Sequence, residues 1–139
     1  MLLSREAILA ADDLATEDVP VPEWAPAGAK NPDEYEVRLR TLTGTERDRF
    51  EQFMAEGQNG KRKQNLDNFR ARMITLCAVD EQGQRIFNSA DIKALGTKSS
   101  AALARLFNKC QEMNGFTEKD VEELTEDFDD APEEPSTSD

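Results

Sequence analysis

The stretch that decides the fold is residues 66–115, which read LDNFRARMITLCAVDEQGQRIFNSADIKALGTKSSAALARLFNKCQEMNG. Apolar residues recur at both ends of this stretch with the 3.6-residue period of an α-helix. The first series is Leu66, Phe69, Met73, Leu76 and Cys77, and the second is Leu103, Leu106, Phe107, Cys110 and Met113. Because neither apolar face is stable in water, the two helices are predicted to pack on each other as the core.

A turn and a short helix are predicted between these two helices. Residues 80–83, Asp-Glu-Gln-Gly, have turn composition. Asn88 then occupies an N-cap position with Asp91 three residues later, and Gly96 closes the helix that follows.

A β-hairpin is predicted upstream of the core. Residues 17–25 contain Pro20 and Pro22, which exclude a helix and favour an edge strand. Residues 34–42 alternate apolar and charged side chains, as a half-buried strand does. The apolar face of this second strand holds Tyr35, Val37 and Leu39.

Helices are also predicted on either side of the hairpin. Ser4 can cap a first helix with Ile8 and Leu9 on one side, and this helix is short enough that it should persist only if it docks on the rest of the chain. After the hairpin, Thr43 and Glu46 have the spacing of a capping box that opens a helix over residues 45–56.

The predicted fold class is α+β and mostly α-helical, with an N-terminal helix and a β-hairpin followed by a bundle-like domain of four to five helices. Residues 1–127 are predicted to form a single α+β domain. Within it, residues 1–57 form the helix, hairpin and helix, residues 58–65 a flexible linker without apolar side chains, and residues 66–127 the helical core. Residues 128–139 are predicted to be a disordered acidic tail.

The negative charge is concentrated at one end of the chain. The formal net charge is −12, and residues 117–139 hold eleven Asp and Glu residues against one Lys. An acidic chain repels nucleic acid phosphates, so no nucleic acid is expected as a partner. The same charge motivates one alternative function, an acidic regulatory or inhibitory protein that mimics DNA. Truncation after Phe128 would discriminate, because a mimic should lose its activity without the tail.

Nothing in the sequence indicates an enzyme, a cofactor or a metal. The chain has no His, which removes the commonest general base and metal ligand, and it has no phosphate-binding glycine motif. Residues 80–91 resemble a calcium loop superficially, but Arg85 occupies the position where such a loop requires Gly. Cys77 and Cys110 lie on the predicted core faces and are expected to be buried reduced thiols, although a disulfide between the two helices is geometrically possible.

No secretory signal or membrane span is expected either, and the protein is predicted to be soluble and intracellular.

Several local patterns also resemble a known family. The central run contains V-D-x-x-G, F-x-x-x-D-I-x-x-L and K-S-x-A-A-L-x-R-L-F, and G-F-T-x-x-D-V follows them. Upstream, LTGTERDRFEQF fits the same family. With the N-terminal helix, the resemblance covers most of residues 1–127 and is to the tail assembly chaperones of long-tailed bacteriophages.

The resemblance implies a non-enzymatic assembly factor of the host cytoplasm. Members of that family bind the long, aggregation-prone tape measure protein and help to recruit tail tube subunits, and they are not retained in the virion. It also implies that chaperone copies line up along the tape measure, so self-association is a further expectation. A longer product made by a programmed frameshift is common in the family.

Client contact is predicted to centre on the hairpin and the helix after it. This part of the chain has many apolar groups for a small unit, and the basic run in the linker could steer acidic segments of a partner toward it. The predicted contact residues are Trp24, Tyr35, Phe50, Phe53, Lys61, Arg62 and Lys63. The alternative is that the aromatic residues simply close the core against the central helices.

Overall fold

The computed structural model describes residues 1–56 and 68–115, without the side chains of residues 54–56. It contains five α-helices and a three-stranded antiparallel sheet within these residues, which confirms the mostly helical α+β class. The elements in chain order are α1 (Arg5–Ala10), β1 (Thr16–Pro20), β2 (Glu36–Arg40), α2 (Gly44–Glu56), α3 (Phe69–Cys77), β3 (Ala78–Val79), α4 (Ile92–Leu95) and α5 (Ser100–Met113).

Three predicted segments lie outside the described residues. They are the linker over 58–65, the end of the predicted helical core over 116–127 and the acidic tail over 128–139. The domain boundaries stay a prediction.

The predicted hairpin forms, and it pairs with a third strand that the sequence analysis missed. In β1 and β2, Val19 lies opposite Val37 and Pro20 opposite Glu36. Since β1 is the edge strand, the missing N–H of Pro20 costs no hydrogen bond to a further strand. On the other side of β2, β3 pairs through Leu39 with Ala78, where the sequence pattern predicted only the end of a helix.

The second strand is shorter than predicted, and one of its apolar residues points away from the core. Leu39 is fully buried and Val37 half-buried, but Tyr35 precedes the first residue of β2 and is 45% exposed. The prediction that Tyr35 shares the inward face is therefore wrong. Its backbone N–H bonds to Pro32 in the preceding 3₁₀ turn, so the strand alternation does not extend to it.

Both predicted capping boxes are present. Glu46 N–H donates to Thr43 Oγ1 at 3.1 Å, and the Thr43 N–H donates to Glu46 Oε1 at 2.9 Å, so the start of α2 is closed reciprocally. The Asn88 side chain accepts from the Ala90 N–H, while Asp91 accepts from the Asn88 N–H. That second box opens a 3₁₀ turn that continues into α4.

Gly96 ends α4 as predicted, and its lack of a side chain has a packing reason. A Cβ at Gly96 would collide with the side chain of Asn68 at the start of α3. Asn68 itself has φ of 62°, in the left-handed region that asparagine tolerates better than most residues. The close approach joins the beginning of α3 to the end of α4.

The core centres on α3 and α5, as the two apolar series predicted. In α5, Leu106 and Cys110 are fully buried and Leu103 and Phe107 nearly so. Helix α3 is buried on several sides, since Ala71 and Thr75 are covered as well as Met73, Ile74 and Cys77. The sheet covers this helical pair through Val19, Val21 and Leu39, and all belong to one apolar cluster.

The predicted docking of the first helix does not occur. Ser4 caps α1 as expected, by accepting a hydrogen bond from the Ala7 N–H at 3.1 Å. However, α1 has only six residues and none of them is buried. Within the described residues, α1 therefore contributes no side chain to the core.

Candidate functional site

The four aromatic residues predicted to contact a client lie at different depths. Tyr35 is exposed, Trp24 and Phe53 are partly buried against the core, and Phe50 is only 4% exposed. Phe50 is therefore a core residue, as the alternative of aromatic residues closing the core describes, while the prediction that these residues contact a client stays a prediction.

A series of phenylalanine rings explains the burial of Phe50. Neighbouring ring centroids lie 5.2–6.2 Å apart along the series Phe53, Phe50, Phe69 and Phe107. Such tilted pairs add to the apolar burial. The series joins α2 to α3 and α5, and only its outer member, Phe53, reaches the surface in part. The predicted basic residues Lys61, Arg62 and Lys63 lie outside the described residues.

Phe53 lies in a groove between α2, α3 and α4. The groove has a volume of about 180 Å³, and its floor is apolar. Phe50 and Phe53 contribute from α2, Leu76 from α3 and Ile92 from α4. We refer to this feature as the α2–α4 groove.

Three arginines border the α2–α4 groove. They are Arg49, Arg72 and Arg85. The guanidinium carbon of Arg72 lies 4.4 Å from the centroid of the Phe53 ring, which is cation–π geometry. The apolar floor is thus surrounded by positive charge, which suits an apolar segment that also carries carboxylates.

Two polar atoms beside the groove have no hydrogen-bond partner among the described residues. They are Nε of Arg72 and Oγ1 of Thr75, and both are buried. A buried donor without an acceptor is uncommon in folded proteins, where most such groups bind protein or ordered water. The unsatisfied donor therefore marks where an acceptor would be stabilised.

A buried ion pair holds the groove to the sheet. Nη2 of Arg40 donates to both carboxylate oxygens of Glu46, at 2.7 and 2.8 Å, and the two side chains are only 14% and 11% exposed. Nε of Arg85 lies 3.7 Å from the same carboxylate. The carboxylate thereby connects β2, the first turn of α2 and one border of the groove.

The first ten residues form a second candidate surface, which we call the apolar arm. Its large apolar side chains project into solvent, at 55% exposure for Ile8 and above that for Met1, Leu2, Leu3 and Leu9. In the described part of the chain, only Tyr35 and Ile86 are exposed large apolar residues outside the arm. Concentration of exposed apolar groups on one segment is typical of a protein-binding surface.

The apolar arm leaves the sheet at the same end as the buried ion pair. Ala15, just before β1, is joined to Thr41 by backbone and side-chain hydrogen bonds of 3.0 and 3.2 Å. Thr41 in turn accepts a hydrogen bond from Arg40 Nε through its carbonyl oxygen. The arm and the α2–α4 groove are therefore connected to the same group of residues.

Ion pairs fix the hairpin and its long loop. Arg38 donates twice to Asp18 directly across the strands, and this contact lowers the pKa of the Asp18 carboxyl. Arg105 of α5 donates to both oxygens of Glu23, at 2.8 and 2.7 Å, and holds the pKa of that carboxyl at about 2 instead of 4.5. The long loop between β1 and β2 is thereby held on α5.

The two cysteines are free and buried, as predicted. The pKa of the Cys110 thiol is raised, first by its hydrogen bond with Cys77 and then by burial. A thiol that is neutral and covered is a poor nucleophile. These cysteines therefore belong to the core and not to a reactive site.

Within residues 1–56 and 68–115, no group of His, Cys, Asp and Glu residues is arranged to hold a metal ion. Asp80, at the position that resembled a calcium loop, accepts from the N–H groups of Gln82 and Gln84 and so closes the local turn. No helix in the same residues has the length and apolar character needed to cross a membrane.

Comparison with protein families adds the deciding observation. The family described as phage tail assembly chaperone matches residues 4–131, nearly the whole chain. The chain belongs to the phage tail assembly chaperone family. Comparisons with curated proteins and with solved structures found no match.

The chaperone's two candidate surfaces differ in how far the sequence could reveal them. The groove forms where α2, α3 and α4 pack together, and no local sequence pattern predicts that packing. The sequence analysis did predict one residue of the groove, Phe53, as a contact residue. The apolar arm depends on α1 not packing on the core, and the residues after it give only a weak signal, with Asp12 and Asp13 beside Leu14.

Proposed function

We propose that this chaperone binds the tape measure protein in the host cytoplasm, helps to recruit tail tube subunits to it, and leaves before the virion is complete. The observation that supports this most directly is the apolar arm. Leu2, Leu3 and Leu9 lie in solvent, and exposed apolar side chains grouped on one segment are typical of a surface that a partner covers.

The proposed mechanism is shielding of apolar helical faces on the client. A short amphipathic helix can lie against a complementary apolar face, which removes both surfaces from water. Full burial of an aliphatic side chain stabilises by about 1.5–3 kcal/mol before the cost of ordering the arm. Because α1 is too short to be stable alone, client binding would also order it.

The hairpin end and the α2–α4 groove complete the proposed client surface. Of the four predicted aromatic residues, Tyr35 is exposed and Trp24 and Phe53 are partly buried, while Phe50 lies beside Phe53 in the core. Lys61, Arg62 and Lys63 would attract acidic client segments from a distance. None of these contacts requires catalysis.

Self-association is part of the same proposal. The edge strand β1 and the apolar arm both offer surfaces for another copy, and copies aligned along a long client would shield it continuously. The free chaperone is expected to be a monomer or small oligomer that becomes a larger assembly with its client. A large oligomer of fixed size that ignores the client, seen by sedimentation, would contradict this.

The test replaces the apolar face of the arm without changing its helix propensity. The double variant Ile8→Gln, Leu9→Gln removes two exposed apolar groups, and the matched control is Arg5→Gln, Glu6→Gln on the same helix. All four residues are exposed, so both variants should keep the stability of the folded part. We expect the first variant to bind the tape measure protein at least about tenfold more weakly and the control to bind within about twofold of the wild type. Equal affinities for the two variants would overturn the arm as the client surface.

A further inference from the structure

We propose that the apolar arm of one chain docks in the α2–α4 groove of a second copy when no client is present. All of residues 1–13 are exposed in the single chain, and the groove is open as well. The arm and the groove are thus two apolar surfaces of one molecule that do not meet within it. Their contact between copies deepens the proposed self-association, because it assigns the two surfaces that meet.

The α2–α4 groove has the size of a site for inserted side chains. Its volume of about 180 Å³ lies below the roughly 300–1,000 Å³ of small-molecule pockets. Phe53, Leu76 and Ile92 form its apolar floor. The arm offers Ile8 and Leu9, which are adjacent and are 55% and 68% exposed. Burial of these two side chains against the floor removes apolar area of both copies from water.

The charges of the two surfaces are opposite. Within the described residues, neither Arg49 nor Arg72 of the groove has a carboxylate partner. Asp12 and Asp13 follow Leu9 by three and four residues, and both are exposed. When the arm fills the groove, these carboxylates lie beside the guanidinium groups at its border. Such complementarity favours this pair of surfaces over other contacts and fixes which way the arm lies.

Unpaired polar atoms at the border of the groove give a second reason. Thr75 is only 3% exposed, and its Oγ1 has no hydrogen-bond partner among the described residues; the same is true of the buried Nε of Arg72. The two residues are three apart on α3 and therefore share one face of that helix, and both line the groove. A carboxylate accepts from a hydroxyl and from a guanidinium, and such charge-assisted hydrogen bonds are roughly twice as strong as neutral ones. Asp12 and Asp13 of the second copy supply acceptors of this kind.

The arm is long enough to reach a neighbouring molecule. Its base is fixed where Ala15 is hydrogen-bonded to Thr41. With residues 11–15 extended and the end of α1 helical, Ile8 lies up to about 20 Å from Ala15. Because the arm and the groove are different surfaces, their contact is heterologous. One intact arm and one intact groove are therefore enough to join two chains.

Mutual cover makes the client compete with a second copy for the arm, a consequence that rests on the proposed function. The apparent affinity for the client then falls with the fraction of arms that are free. Weak competitors do not displace the second copy, whereas a client that binds strongly does. The apolar arm is thereby kept out of water until such a client is present.

The first part of the test is sedimentation velocity of full-length chains over a range of concentrations, with no client present. The wild type should associate reversibly, and Ile8→Gln, Leu9→Gln should raise the dissociation constant at least about tenfold. The matched control, Ala7→Gln, Ala10→Gln, makes the same change on the opposite face of α1 and should shift the constant by less than about twofold.

The second part of the test changes the groove. Arg49→Glu should raise the dissociation constant at least about tenfold, because it places a carboxylate where the arm brings Asp12 and Asp13. The matched control is Lys30→Glu, which makes the same charge reversal in the loop between β1 and β2 and should shift the constant by less than about twofold. Arg49 and Lys30 are both exposed, so these variants should keep the fold.

Mixing the arm variant with the groove variant separates this contact from other modes of association. Each variant alone should stay monomeric where the wild type associates, but the mixture contains one intact arm and one intact groove and should form a dimer. A wild type that stays monomeric at every concentration would overturn the proposal, and so would a mixture that stays monomeric. An arm variant that associates like the wild type would also overturn it, because the edge strand β1 would then be the interface. Since no tape measure protein is used, the result does not depend on whether client binding is correct.

Discussion

Replacing Glu46 with Ala should destabilise the folded part more than replacing an exposed carboxylate of the same helix, such as Glu51. The carboxylate accepts two short hydrogen bonds from Arg40, closes the N-terminus of α2 through the Thr43 N–H, and lies 3.7 Å from Arg85. Its side chain is only 11% exposed. Removal of one partner of a buried pair costs about 3–5 kcal/mol, because the other charge stays buried without compensation.

The same substitution also removes the capping box of α2, which alone would cost about 1 kcal/mol. Because the ion pair and the capping box share one carboxylate, this cost is either included in the roughly 3–5 kcal/mol or added to it. With a urea m-value of about 1–3 kcal/mol/M, a loss of about 3–5 kcal/mol should lower the unfolding midpoint by about 1–5 M. Fluorescence of Trp24, the single tryptophan, and circular dichroism can follow the transition. The matched control is Glu51→Ala on the same helix, whose carboxylate is 57% exposed and pairs with Arg47 at 3.2 Å.

The control should cost less than about 1 kcal/mol, as exposed pairs do. A double-mutant cycle between Arg40→Ala and Glu46→Ala should give a coupling free energy of about 1–3 kcal/mol. If Glu46→Ala and Glu51→Ala lower the midpoint equally, the buried position of this ion pair is wrong.

Three further results are expected. Leu106→Ala should lower the free energy of unfolding by about 2–5 kcal/mol in denaturant melts, because Leu106 is fully buried. Leu76→Ala should lower it by less, because Leu76 is only partly buried. A larger loss for Leu76→Ala than for Leu106→Ala would mean that the core does not centre on Leu106. A carboxyl-carbon NMR titration should give Glu23 a midpoint near 2 instead of 4.5. Because Arg105 lowers this pKa, the contact stabilises the protein fully above pH 4.5, and the stabilisation is lost as the pH falls toward 2. A midpoint near 4.5 would mean that the contact is absent in solution. Cys110 should react with a thiol reagent at neutral pH only as fast as the protein opens, because its raised pKa and burial suppress the thiolate; fast labelling under native conditions would contradict this.

Local patterns predicted most of the elements, because the groups that begin and end them are close in sequence. The capping boxes at Thr43 and Asn88 each involve residues three apart, so four residues of sequence contain all the information. The apolar series of α5 is equally local, and each of its predicted members is buried or partly buried. The same holds for the edge strand β1, because Pro20 lacks the N–H that a place in the middle of the sheet would require.

The features that the sequence did not reveal depend on distant partners. Strand β3 consists of Ala78 and Val79 only, and it exists because Arg38 and Leu39 of β2 lie beside it. Whether Phe50 faces a client or the core depends on Phe69 being placed 5.6 Å from it. The α2–α4 groove and the undocked α1 are likewise results of how elements pack, so neither follows from composition or periodicity.

The most direct test of the account is co-expression of the chaperone with the tape measure protein and with the tail tube protein, followed by hydrogen exchange on any complex that purifies. The account predicts that the tape measure protein co-purifies at low salt and that amides of residues 4–10 and 45–56 gain protection. Protection confined to residues 99–113 would contradict the proposed client surface but leave the chaperone function standing. If neither tail protein co-purifies at low salt, the proposed client binding itself is contradicted.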